Sequence, residues 1–277
     1  MPDLPATALR DASGPQSRLN ALSPGLVGLF VQGIEIGMVF SQLATWMSLP
    51  GRTERRFITV LTVFITTVGF VQTAVYFLSI WRIYVEHYGE PVVPAWTERV
   101  HILFTVLISI PVQSLLIWRC YYILKRNAYL IIPLLLLMLG SAALAIFDTI
   151  DLFGLGSRES SNAPVFWPLL LYCALTSILD IILSSILFYY LTQSRKRIYV
   201  DHTVQWISRH IIIVWQSVIP PTVCTLVISI LYGLSQHLSP GPGLMWYPTL
   251  QAVIGKLYVL SHFHNMYVVP APVPTIF

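Results

Sequence analysis

Five ionisable residues stand inside long apolar runs of this sequence: Glu35, Asp148, Asp151, Asp180 and Lys256. A charge at the centre of such a run costs at least about 2.5 kcal/mol in lipid, so each needs a partner, a ligand or water. Carboxylates facing an ammonium suit an internal ion pair or a site for a charged ligand or ion. Lys256 is expected to pair with Asp180 or Glu35, because the three share one depth. The polar residues around them recur at helical spacing. Tyr172, Thr176, Asp180 and Ser184 are four apart, as are His101, Thr105, Ser109 and Gln113. Positions four apart share a helix face. Thr59, Thr62, Thr66, Gly69 and Thr73 follow a three-four pattern, and Gln32 shares a face with Glu35. Together they outline a polar interior whose candidate site residues are Glu35, Gln113, Asp180 and Lys256. The same residues also read as a clamp between helices, worth about 0.6 kcal/mol per hydrogen bond.

Other chemistries find less support. His262 and His264 are two apart, so on a helix they point to different faces and are not expected to share a metal. Cys120, Cys173 and Cys224 lie in apolar runs without a CxxC, as small core residues do. A lysine in the last run suits a Schiff base, but the third run offers no interior carboxylate as counter-ion. That run ends WRCYYILKRN, without an acidic-Arg-Tyr triplet, and the seventh has no Asn-Pro-x-x-Tyr. With no nucleophile and base in a motif, neither an enzyme nor a cofactor is expected.

The elements that must position these residues follow from composition. Of 277 residues, 56% are hydrophobic and only 10% charged, against roughly 25% charged in soluble domains. Seven runs of about 20 apolar residues are long enough to cross a bilayer. They cover about 22–47, 57–81, 100–124, 129–152, 166–192, 207–234 and 246–268. The expected fold is an all-α membrane protein, a seven-transmembrane-helix bundle, because each run is continuously apolar rather than alternating. Residues 1–20 form a short outer tail, 21–268 the transmembrane domain and 269–277 a C-terminal tail. Arg52, Arg55, Arg56, Arg119, Lys125, Arg126 and Arg195–Arg197 gather after the first, third and fifth runs. This bias predicts the N-terminus outside and the C-terminus cytoplasmic, with Arg119 and Arg195 marking cytoplasmic loops. Trp46, Trp81, Trp118 and Trp167 sit near span ends, as interfacial aromatics do. The paired Pro220 and Pro221 are expected to bend the sixth span. The implied partner is the lipid bilayer, with an unknown small ligand or cytoplasmic partner; nucleic acid is not expected, because the basic residues are split into small clusters.

Several motifs, in order and spacing, are familiar. Gly37 with Gln42 and Pro50 comes first, then His87, Tyr88, Gly89 and Pro91. Val112, Gln113, Trp118, Arg119 and Tyr121 follow in the third run, and Asp180, Tyr189, Tyr190, Leu191, Ser194 and Arg195 in the fifth. Gly255, Lys256, Leu257 and Tyr258 close the series. From about Gly25 to Tyr258 the chain resembles a fungal, chiefly basidiomycete, seven-span membrane protein family known only as a domain of unknown function. It departs from that family in the second run, where Gly69, Phe70, Val71 and Gln72 replace an Asp-Thr-x-His pattern. It departs again at Glu35, where the family is apolar. After Tyr258 the pattern is lost, which suggests a retained intron or altered gene end. The functional class these features point to is a receptor-like or sensory bundle, with a small-solute or ion transporter as the alternative. No internal repeat relates the two halves, which counts against transport.

Overall fold

The computed structural model describes residues 15–48, 56–86, 96–124, 127–152, 167–197, 218–231, 233 and 246–267. Every regular element among them is helical. They are α1 (Pro15–Ser48), α2 (Arg56–Trp81) with a π-helical turn at Arg82–Glu86, α3 (Trp96–Ile123) and α4 (Ala128–Leu152). α5 (Trp167–Arg197), α6 (Val218–Leu231) and α7 (Trp246–Tyr267) complete the series. α1 begins at Pro15, upstream of the expected boundary at residue 21.

Five helices, α1 to α5, contain stretches long and apolar enough to cross a membrane: Ser23–Ser48, Arg56–Trp81, Val100–Tyr122, Ala128–Ile150 and Trp167–Tyr190. Helices satisfy this setting because each backbone N–H bonds within its own segment, away from any water. The described part of α6, Val218–Leu231, is apolar, and the rest of the expected sixth run lies outside the described residues. α7 is long enough at 22 residues, but it carries Thr249, Gln251, Lys256, Ser261 and His262, all buried.

The arrangement explains that composition. α7 packs against α1, α2 and α3, while α3 packs against α2, α4, α5 and α7, and α4 lies along α5. From Thr249 to Phe263 nearly every α7 residue is buried, whichever face it occupies. A helix wrapped by protein need not be apolar. The peripheral helices instead turn large apolar side chains outward, Phe30 72%, Val60 66% and Leu136 65% exposed. Such faces would be a liability in water and are at home against acyl chains.

The main core joins all seven helices, from Val39 and Ile65 through Ile108, Ala145 and Cys173 to Ile228 and Phe263. A second cluster seals one end of the α3–α4–α5 group, with Leu116 and Cys120 against Leu134, Met138, Leu179 and Leu183. There the chain turns tightly from α3 into α4, and Asn127 Oδ1 accepts the Tyr129 N–H at 3.2 Å, capping α4. α6 is fastened to α5 by Ser177 and Thr225, whose hydroxyls are 2.7 Å apart. Pro220 and Pro221 lie within the described part of α6. The residues before Val218, which a bend at Pro220 and Pro221 would set at an angle to the rest of α6, lie outside the described residues. α7 runs on past Tyr258 to Tyr267, and Val259, His262 and Phe263 are core residues. The packing therefore continues beyond the point where the family pattern is lost.

Candidate functional site

The buried polar residues form two centres, on opposite sides of α7. In the first, Lys256 Nζ donates to Gln32 Oε1 of α1 at 2.9 Å, to Gln72 Oε1 of α2 at 3.3 Å and to the Ala252 carbonyl at 3.2 Å. An ammonium has three N–H donors, so these three oxygens saturate it. Gln72 is itself oriented: its Nε2 donates to Thr105 Oγ1 of α3 at 3.1 Å. Thr105 in turn bonds the His101 carbonyl at 2.9 Å and the Gln251 carbonyl at 3.3 Å. Glu35 lies one turn from Gln32, within electrostatic range of Lys256. Its Oε2 is buried without a hydrogen-bond partner.

In the second centre Asp180 of α5 accepts from Gln113 Nε2 of α3 at 3.0 Å and from the Tyr258 hydroxyl of α7 at 2.5 Å. Ser184 bonds the Asp180 carbonyl one turn back. Tyr172 and Thr176 stand on the same buried stripe.

The expected pairing of Lys256 with Asp180 or Glu35 is therefore corrected. Lys256 and Tyr258 are two apart on α7, so they point about 200° from each other. The lysine meets α1 and α2 while the tyrosine reaches α5. Equal depth does not bring two side chains to one side of a helix. One ion pair among the described residues joins Arg82 to Glu86, 3.2 Å apart and exposed.

Smaller polar contacts tie α7 to its neighbours above and below. The Tyr76 hydroxyl lies 3.3 Å from Thr249 Oγ1, and Thr249 donates to the Pro24 carbonyl at 3.1 Å. His262 Nε2 lies 2.9 Å from Thr62 Oγ1. His262 also lines a crevice with Arg119 and Met266. His101 and Gln251 are buried, and neither the ring nitrogens of the one nor the amide atoms of the other have partners.

Of the four predicted site residues, Gln113 and Asp180 are in contact, Lys256 stands apart from them, and Glu35 lies near Lys256. Arg119 and Arg195, expected in loops, both fall within helices, α3 and α5. Arg119 is half-buried; the Arg195 side chain lies outside the described residues, as does that of Asp151. Asp148 is buried on α4. The inward stripe of α2 is Thr62, Thr66, Gly69, Gln72, Tyr76 and Ser79, with Thr59 exposed and Thr73 at its edge. Reasoning from charges overlooked Gln72 and treated Tyr258 as a mere landmark. Applying the same cost argument to buried amides and hydroxyls would have found both.

Two crevices, each of about 10 Å³, border this interior. Each holds about one water, and neither is a chamber for a solute. No family model matches the chain, and neither a curated protein nor a solved structure is similar to it.

Proposed function

We propose that the chain is a seven-span, receptor-like or sensory membrane protein, with its N-terminus outside and its C-terminus in the cytoplasm. On this reading it is a member of the fungal family it resembles, and α6 and α7 count as spans. The observation that carries the reading is the position of α7. A helix enclosed by protein holds α1, α2, α3 and α5 through its polar contacts, so a change at one contact repositions several helices. The two crevices beside these residues are too small to pass a solute, which favours sensing over solute transport.

Two measurements test this. A membrane-impermeant thiol reagent applied to intact cells is expected to label a cysteine placed at Arg10 and to spare one placed at Arg126. The reverse pattern would overturn the orientation. For the function, spin labels at the ends of α3 and α5 are expected to shift by several ångströms in Asp180→Ala, which removes the α5–α7 contact. Vesicles holding the protein should pass potassium, sodium and protons no faster than empty ones. Ion flux that is lost in Asp180→Asn would establish the transporter instead.

A further inference from the structure

The surroundings of Lys256 are those of a cation site. The three oxygens on its Nζ come from three places, the Gln32 and Gln72 amides and the Ala252 carbonyl. All are neutral. Amide and carbonyl oxygens of this kind replace the hydration shell of monovalent ions in membrane proteins. Lys256 lines one of the two crevices, together with Thr66, Gly69, Phe70 and Val259 among others. Thr66 in that lining is 4% exposed, and its hydroxyl has no partner. The nearby carboxyl group of Glu35 is buried and does not touch the ammonium, and its Oε2 has no hydrogen-bond partner.

We propose that these oxygens form a site for an ammonium-sized monovalent cation, which Lys256 itself fills as a tethered cation. A free cation enters in exchange for a proton. The Lys256 N–H bond breaks, its electron pair stays on nitrogen, the proton leaves, and the cation takes the place of the ammonium among the oxygens. The neutral amine moves toward the crevice. Buried charge is the same before and after, because one monovalent cation enters for each proton that leaves. Among the described residues the charged or titratable neighbours around Lys256 are Glu35 from α1 and His101 from α3. α6 presents Cys224 toward Glu35, and α2 contributes the neutral Gln72 and Thr66.

The inference deepens the receptor-like reading by naming the class of signal, and it rests on that reading only for its consequence. Its test is binding by the purified full-length protein in detergent, so failure here leaves the spin-label and flux results to decide the function. Chlorides of ammonium, potassium, sodium and choline are compared at equal ionic strength. In weakly buffered solution the wild type is expected to release a proton on addition of ammonium or potassium but not choline. Lys256→Met keeps the stem and removes the tethered charge. In that variant ammonium or potassium, at a hundredfold excess over its dissociation constant, is expected to raise the Tm by roughly 5 °C over choline. Adding Gln72→Leu should abolish the rise. A wild type that releases no proton, with a Lys256→Met variant that melts identically in all four salts, overturns the proposal. Should Lys256→Met fail to fold, proton release from the wild type decides alone.

Discussion

Replacing Gly255 by alanine is expected to destabilise the bundle by about 2–4 kcal/mol, although only one methyl group is added. A β-carbon at Gly255 would run into the side-chain amide of Gln72. An amide at the end of a flexible side chain ordinarily steps aside at little cost. Here it is held from both ends, by the Lys256 ammonium on Oε1 and by Thr105 on Nε2. Moving it breaks two buried hydrogen bonds and leaves the lysine one acceptor short. In lipid no water replaces what is lost. Thermal or chemical unfolding in detergent measures the cost. A double-mutant cycle with Gln72→Ala isolates its origin, because once the amide is gone the added methyl should be nearly neutral. A penalty that persists in the Gln72→Ala background would show that Gly255 matters for another reason.

Asp180→Ala is expected to cost about 3 kcal/mol, because it strands the Tyr258 hydroxyl and the Gln113 amide in a dry interior. Asp180→Asn keeps an acceptor for Tyr258 and should cost about 1 kcal/mol. The separation of the two polar centres gives a sharper check. Combined with Tyr258→Phe, Asp180→Ala should show a coupling of about 1–2 kcal/mol, since the two residues share a bond. Combined with Lys256→Met, the effects should add within about 0.5 kcal/mol. A large coupling between Asp180 and Lys256 would restore the direct pair that their common depth suggests.

The polar stripes on α3 and α5 were legible in the sequence because residues four apart share a helix face whatever the helix touches. His101, Thr105, Ser109 and Gln113 are all buried, as are Tyr172, Thr176 and Asp180. α2 was read less well. Its threonines marked the stripe, but Gln72, the residue that reaches Lys256, was visible only as a departure from a family pattern. α7 was the hardest case, because a protein-wrapped helix has no apolar face from which to read orientation.

What the residues determined unaided is the solvent. With 56% hydrophobic and 10% charged positions, the chain must bury long helices in lipid, and its few interior charges had to be held by something. Which groups hold them was decided by tertiary structure. Depth along a helix follows from residue number at about 1.5 Å per step, so the sequence places Lys256, Asp180 and Glu35 near one level. The direction a side chain takes across the bundle depends on how each helix is rotated about its axis and on which neighbours surround it. That rotation is set by the packing of α7 among α1, α2 and α3. It sends Lys256 to two glutamines and gives Asp180 to Tyr258.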